Sequence, residues 1–205
     1  MDLNMPQVDF IFDFASPNAY LCHKVLPKIA ERTGTTFHYV PTLLGGLFNL
    51  TGNQAPMIAF GGIPNKMAYE QLETKRFIAE HKLSKFTFNE NFPINTLLIM
   101  RGLIAAENAG VKDKYIDVVV KAMWEDNQNM GDPEVVLQVL NTAGLDGQAL
   151  LSETQNPEVK AKLMNNTQAA ADRGAFGIPS FYVGEELFFG KERLGQVEAA
   201  ILAAG

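Results

Sequence analysis

Hydrophobic and polar positions alternate at the start of the chain. Between residues 8 and 14 apolar side chains occupy every second position, with aspartates at two of the positions between them. This period of two predicts a strand with one buried face. Ser16 and Pro17 follow, and from residue 19 to 30 apolar residues recur every three or four positions. Because serine is a preferred N-cap and proline suits the first helical position, we predict a helix that begins on Ser16.

A second β-rich run follows this helix. It covers residues 35–40, and Pro41 ends it. Together with the first strand and helix it gives a β-α-β unit from residue 8 to 40, in which the two strands are expected to be parallel. Pro27 falls inside the helix and is expected to kink it.

The middle of the chain, from Leu43 to Arg173, has the period of helices. Two stretches interrupt that period and are predicted to be loops, Gly45–Pro64 and Lys82–Pro93, the first because it is rich in Gly, Asn and Pro. The predicted helices lie at residues 65–81, 96–109, 113–127, 133–143, 147–154 and 157–173.

The end of the chain returns to β structure. After a helix stop at Gly174, the chain passes through the Ile178-Pro179 bond. A strand, a tight turn, a second strand and a last helix are predicted at residues 180–183, 184–185, 187–189 and 192–203. Gly184 at the first central position is typical of a type II′ hairpin.

This order of elements is that of an α/β thioredoxin-like fold. In such a fold the Ile178-Pro179 bond is expected to be cis and to face the start of the first helix. We predict that residues 1–43 and 174–205 form the thioredoxin-like domain, and that residues 44–173 form a large inserted helical domain.

Composition excludes several classes of partner. The 205-residue chain has a net charge of −6 and no basic cluster, which argues against nucleic acid or an anionic membrane as the main partner. No apolar run approaches the roughly 20 residues of a membrane-spanning helix. Residues 1–6 lack the charged and apolar regions of a signal peptide, so we expect a cytoplasmic protein.

The residues that usually carry redox or metal chemistry are sparse. Cys22 is the single cysteine, so the chain has no internal disulfide and no dithiol pair, and we expect a buried structural thiol. The three histidines, His23, His38 and His81, show neither triad nor metal-ligand spacing. We therefore predict no metal site and no histidine base for Ser16.

The chain resembles the 2-hydroxychromene-2-carboxylate isomerases and the kappa-class glutathione transferases, which are relatives of the periplasmic disulfide oxidases of the DsbA type. The segments that carry the resemblance lie in the expected order over nearly the whole chain: Phe12 to Leu21, Leu43 to Gly46, Thr51 to Asn53, Phe92 to Thr96, Gly174 to Pro179, and Phe188 to Leu194. They are specific to the family and less so to one reaction.

The resemblance gives Ser16 a chemical role. Disulfide oxidases of this fold open the first helix on Cys-Pro-x-Cys, whereas this chain has Ser16, Pro17, Asn18 and Ala19 there and cannot exchange disulfides by that route. A helix N-terminus favours an anion, and a serine hydroxyl can donate a hydrogen bond to a thiolate that a ligand brings. The alternative is that Ser16 only caps the helix.

The ligand that the resemblance implies is glutathione. The backbone of Ile178, beside Pro179, would pair with the cysteinyl backbone of the tripeptide as an added strand. Asn53 matches an asparagine that contacts glutathione in kappa-class enzymes. Lys191 and Glu192 match the pair near the γ-glutamyl end, although the commoner pattern has a small polar residue before aspartate.

Two residues are candidates for the substrate itself. Lys66 would hold an anionic substrate or the glycyl carboxylate, and Trp124 would belong to an apolar wall. For both, a surface or core role is the alternative reading.

Three functions remain open on the sequence. The first is a glutathione-dependent isomerase of 2-hydroxychromene-2-carboxylate or a related intermediate of aromatic degradation, and the second is a kappa-like transferase that conjugates electrophiles. The third is a redox-inactive thioredoxin-like module that binds extended peptides beside Pro179. A homodimer is expected from the family alone.

Overall fold

The computed structural model describes residues 7–205. The expectation about a signal peptide falls on residues 1–6, which lie outside the described residues. The chain begins with strand β1 (Val8–Phe12), helix α1 (Pro17–Thr33) and strand β2 (Phe37–Pro41). The two strands are parallel, so the predicted β-α-β unit is confirmed.

Four strands from the two ends of the described chain form one sheet. Strands β3 (Ser180–Val183) and β4 (Glu186–Phe189) complete it in the order β2-β1-β3-β4. Strand β3 is antiparallel to both β1 and β4, and Gly184, with φ of 60°, turns the hairpin. The hairpin therefore lies beside β1, which leads into α1.

Helices occupy the sequence between β2 and β3. They are α2 (Leu44–Thr51), α3 (Pro56–Ala59), α4 (Pro64–His81), α5 (Leu97–Asn108), α6 (Lys112–Trp124), α7 (Pro133–Thr142), α8 (Gly147–Glu153) and α9 (Pro157–Asp172). The six predicted helices are confirmed, with ends that differ by at most three residues. After β4 a short 3₁₀ helix (Lys191–Arg193) leads into α10 (Leu194–Ala204), which packs on α1 and β3.

The predicted loop over residues 45–64 is wrong, because this stretch contains α2 and α3. Glycine and asparagine disfavour helix, but tertiary contacts outweigh that propensity here. Leu47 is fully buried, and a side chain on Gly46 would lie 3.2 Å from Thr167 Cγ2 on α9. The glycine therefore permits close packing of α2 on α9.

Strand β1 ends earlier than the alternation indicated. It stops at Phe12, and Phe14 belongs to a turn that precedes α1. The carboxylate of Asp13 accepts a hydrogen bond from the amide of Ala15 at 2.9 Å, which bends the chain out of the strand. Helix α1 then runs to Thr33 with Pro27 inside it.

Aromatic rings fill the interior beside the sheet. Phe10 stacks on Phe181 of the neighbouring strand with ring centres 4.7 Å apart, and Phe12 meets Phe14 edge-on at 5.0 Å. All four rings are buried. Between residues 7 and 205 no helix is both long enough and apolar enough to cross a membrane.

Candidate active site

Ser16 stands at the start of α1, as predicted. Its backbone is extended, with φ of −91° and ψ of 114°, and its hydroxyl oxygen accepts a hydrogen bond from the Ala19 amide at 3.2 Å. Its hydroxyl hydrogen is donated to the carbonyl oxygen of Ile178 at 2.9 Å. Both partners are backbone groups and Ser16 is 4% exposed, so in this structure the hydroxyl is a buried donor with no side-chain base.

The loop before β3 faces the start of α1. The peptide bond between Ile178 and Pro179 is cis, as expected, and the hydrogen bond from Ser16 joins this loop to the helix. The Pro179 carbonyl accepts from the Gly190 amide at 3.0 Å. Gly190, the residue before Lys191, is therefore bonded to the loop that faces the start of α1.

Asp13 is a residue of the site that sequence reasoning missed. Its side chain is fully buried and accepts three hydrogen bonds, from the Ala15 amide at 2.9 Å, the Leu44 amide at 2.7 Å and the Thr96 hydroxyl at 2.7 Å. Its carbonyl also accepts from the Ser16 amide at 3.3 Å. Asp13 thus joins the turn before Ser16 to the starts of α2 and α5.

Burial raises the pKa of the Asp13 carboxyl, and the three donors oppose that effect. Neither Leu43, at the cap of α2, nor Thr96, at the cap of α5, makes a side-chain bond to its own helix. The Asp13 carboxylate instead supplies the acceptor for the first amide of α2. A signal was present in the sequence, since Asp13 is an acidic residue inside an apolar run that ends at a helix cap.

Asn53 lies beside the loop that contains Ile178. Its side-chain amide donates to the carbonyl of Phe176 at 2.7 Å. The Phe176 ring packs on Phe189 of β4 with centres 4.6 Å apart, and both rings are partly exposed. The structure therefore brings Asn53, Ile178 and Ser16 to one region, with two accessible aromatic rings at its edge.

Lys191 points inward. It is 2% exposed, forms an ion pair with the carboxylate of Glu192, and lies 5.9 Å from the centre of the Phe77 ring. These groups border a cavity of about 460 Å³ between α1, α4 and the start of α10. The Glu192 side chain is 45% exposed, so of the two residues it is the one open to solvent.

Cys22 is buried and unpaired, as expected. Burial raises the pKa of its thiol well above the ordinary value, while the charge of Lys191 works in the opposite direction and that of Glu192 adds to the rise. A protonated thiol without exposed surface is a packing residue. Within residues 7–205 no group of three His, Cys, Asp or Glu side chains is placed to hold a metal ion.

Lys66 stands near the start of α4. Its ammonium nitrogen lies 3.7 Å from the centre of the Phe60 ring, a cation–π contact at the surface. Among the contacts of the described residues, none joins Lys66 to Ser16.

Trp124 is fully buried and has no surface for a ligand. Its indole N–H donates to the carbonyl of Phe14 at 2.9 Å, two residues before Ser16. Its ring meets Phe88 at 6.0 Å and Phe92 at 6.2 Å between centres. Phe88 is 52% exposed, so in this conformation Trp124 supports an aromatic surface that Phe88 presents.

Comparison with known proteins gives these features a context. Residues 7–202 match the family model of the DSBA-like thioredoxin domain. A 2-hydroxychromene-2-carboxylate isomerase from Pseudomonas sp. (strain C18) is 27% identical over 197 residues, which cover 95% of this chain and 89% of the relative. Human glutathione S-transferase kappa 1 is 26% identical over 182 residues, covering 84% of this chain and 78% of the relative.

A solved structure agrees with the fold. The structure of a 2-hydroxychromene-2-carboxylate isomerase superposes with a TM-score of 0.81 at 26% identity, covering 95% of this chain and 94% of the other. The predicted thioredoxin-like α/β fold with many added helices is therefore confirmed.

Proposed function

The chain belongs to the DSBA-like thioredoxin domain family, and within that family we propose that it is a glutathione-dependent isomerase. Its substrate would be 2-hydroxychromene-2-carboxylate or a related unsaturated acid from aromatic degradation. The observation that carries the proposal is the buried Ser16 hydroxyl at the start of α1, facing Ile178, where disulfide oxidases of this fold hold a reactive thiol. The similarity to isomerases over 95% of the chain supports the choice of reaction.

Glutathione would occupy the region between Ser16 and the loop before β3. Its cysteinyl backbone would pair with Ile178 beside Pro179, and Asn53, which already bonds to that loop, would contact the ligand. The exposed carboxylate of Glu192 would take the γ-glutamyl ammonium. Lys191 would act mainly by orienting Glu192, because its own nitrogen is buried and paired.

The start of α1 can hold the ligand as a thiolate. A helix dipole contributes about 0.3–1 kcal/mol, and up to about 2 kcal/mol when partly buried, which corresponds to at most about one and a half pKa units. A hydrogen bond from the Ser16 hydroxyl to a charged sulfur adds about 1.5–3 kcal/mol, or roughly one to two further units. Together they can bring a thiol that ionises near pH 8.5 to below neutrality.

The thiolate would then act as a reversible nucleophile. A hydroxychromene substrate is a cyclic hemiketal, so its ring carbon–oxygen bond first breaks to give a conjugated ketone, and the hemiketal proton passes to the phenol oxygen. The lone pair of the thiolate then forms a carbon–sulfur bond to this conjugated system, and the electron pair of the double bond moves towards the carbonyl. Rotation about the former double bond follows, and re-formation of that bond expels the thiolate. Glutathione is returned unchanged. The exposed ring of Phe88 would offer a surface for the planar part of the substrate, and Lys66 would hold an anionic group of the substrate or of glutathione.

A kappa-like transferase is the second candidate. It would use the same thiolate but leave glutathione attached to the electrophile, and the 26% identity to the human transferase supports it almost as well as the isomerase. Recovery of glutathione after turnover separates the two activities.

A peptide-binding module without catalysis is the third candidate, and it predicts that changes at Asn53 and Glu192 leave peptide binding intact.

Location and assembly are part of the same proposal. We place the protein in the cytoplasm, where glutathione is abundant and reduced, and a single buried thiol suits that compartment. The homodimer is proposed from the family resemblance.

The decisive experiment is thermal unfolding of wild type and Ser16→Ala with increasing glutathione or S-methylglutathione. At a hundred times the dissociation constant, a ligand that binds only the folded state adds about 2.7 kcal/mol, or roughly 5–11 °C for a chain of this size. The rise in melting temperature should be smaller with S-methylglutathione than with glutathione, and smaller in Ser16→Ala than in wild type. Ser180→Ala is the matched control, because the Ser180 hydroxyl also donates to a buried loop carbonyl, that of Gly177, at 2.7 Å.

Each protein is compared with itself without ligand, since loss of the Ser16 cap lowers stability by about 0.5–2 kcal/mol regardless of glutathione. A wild type that glutathione does not stabilise would refute both enzyme candidates and leave the peptide-binding module.

A further inference from the structure

The hydroxyl of Ser16 is already engaged in this structure. Its oxygen is held by the Ala19 amide at 3.2 Å, and its hydrogen is donated to the Ile178 carbonyl at 2.9 Å. Serine and isoleucine are both buried here. Because a hydroxyl has one hydrogen, Ser16 cannot donate to Ile178 and to a ligand sulfur at the same time.

We propose that the ligand itself releases the Ser16 hydroxyl by exchange. The inference rests on the proposed function. The N–H of a bound cysteinyl residue becomes the donor to the Ile178 carbonyl, and the hydroxyl hydrogen of Ser16 turns from that carbonyl to the sulfur. The thiol proton passes to water, and no covalent bond of the protein changes.

The exchange needs little movement. The Ala19 amide keeps the Ser16 oxygen in place, so only rotation about the Cβ–Oγ bond is required. Without a ligand N–H, the same rotation would leave a buried carbonyl unpaired, and the cost of that would offset most of the gain at the sulfur. The Ile178 carbonyl has a second lone pair, so it can accept from Ser16 and from a ligand N–H together. In that arrangement the single hydroxyl hydrogen of Ser16 still points to the carbonyl, and the sulfur receives no hydrogen bond.

The site would therefore select the kind of thiol that it activates. A thiol with an amide N–H on the carbon next to the sulfur-bearing carbon, as in a cysteinyl peptide, triggers the exchange. A thiol of similar shape without that N–H occupies the site but leaves Ser16 bonded to Ile178. Recognition of the peptide backbone and activation of the sulfur become one event.

The test compares glutathione with its depsipeptide analogue, in which an ester oxygen replaces the cysteinyl N–H. The ultraviolet absorbance of the bound thiolate is followed against pH at saturating ligand. On wild type, the thiol of bound glutathione should ionise about one to two pH units below that of the bound analogue. The analogue should bind only about tenfold more weakly, because Ser16 keeps the carbonyl paired.

Two variants complete the comparison. In Ser16→Ala the difference between the two bound ligands should disappear, and in Ser180→Ala it should remain as in wild type. Equal ionisation of the two ligands on wild type would overturn the exchange, and so would a difference that persists in Ser16→Ala. An analogue that fails to bind while S-methylglutathione binds would overturn it too. Failure of glutathione itself to bind would instead refute the proposed function.

Discussion

The hydrogen bond from Thr96 to Asp13 provides a sharp test of how the site is held together. Thr96→Val keeps the size and branching of the side chain but removes the hydroxyl that donates to the Asp13 carboxylate at 2.7 Å. Both residues are buried, so water cannot replace the lost donor without opening the packing. The amides of Ala15 and Leu44 still donate to the carboxylate.

The expected loss follows from the charge of the acceptor. A hydrogen bond to a charged group contributes about 1.5–3 kcal/mol, so Thr96→Val should lower the melting temperature by roughly 3–12 °C at a pH above the raised pKa of Asp13, where the carboxyl is ionised. Thr74→Val is the control, because the Thr74 hydroxyl donates to the Glu70 carbonyl within α4, on an exposed part of that helix. Its change should stay within about 0.5 kcal/mol.

The pH dependence adds a second criterion. Burial raises the pKa of the Asp13 carboxyl, so folding favours the protonated form, and the contribution of Asp13 to stability falls as the pH rises through that raised pKa. The Thr96 hydroxyl stabilises the carboxylate, so the deficit of Thr96→Val should grow over the same range and shrink in acid. Urea unfolding across pH measures it. A deficit that stays below about 0.5 kcal/mol across the whole pH range, or one that is largest in acid, would refute this account of Asp13.

Three further outcomes are expected. Trp124→Phe removes the donor to the buried Phe14 carbonyl and should cost about 1–3 kcal/mol in urea unfolding, whereas an unchanged midpoint would contradict the bond. Lys191→Met replaces a buried cation, whose partner Glu192 is half exposed, with an apolar side chain of similar length. Because burying a charge is costly, the free energy of unfolding should be unchanged or higher, and a loss above about 2 kcal/mol would show that the ion pair stabilises the fold. Phe88→Ala removes an exposed ring and should raise KM for an aromatic substrate with little change in melting temperature, and an unaltered KM would exclude Phe88 from the substrate surface.

The fold was predictable where the pattern is local. Alternation gave β1 and the helical period gave six helices, because each follows from side chains that share one buried face. Helix α2 was not predictable in this way, since its glycines disfavour helix by themselves. It forms because Asp13, 31 residues earlier, accepts from the first amide, and because Gly46 lets α9 approach.

The candidate site shows the same division. Ser16 and Pro179 could be identified because each has a local signature, a helix cap and an X-Pro bond before a strand. The depth of a side chain has no such signature. The resemblance places Lys191 at the ligand, and the aromatic ring of Trp124 suggests a substrate wall, but the structure buries both side chains, and Phe88 and Glu192 are exposed to solvent instead.

The start of α1, from Ser16 to Ala19, contains no sulfur, and this limits where the thiolate of the proposed reaction can come from. Cys22 lies further along the same helix, fully buried, and burial raises the pKa of its thiol, so it cannot replace the missing nucleophile. The structure has two features that favour an anion, namely the N-terminus of α1 and the hydroxyl of Ser16 that caps it. Because these features have no sulfur of their own to act on, the proposed function assigns the reacting thiol to the ligand. The specificity of the enzyme would then reside in how Ile178 recognises the backbone that carries that thiol.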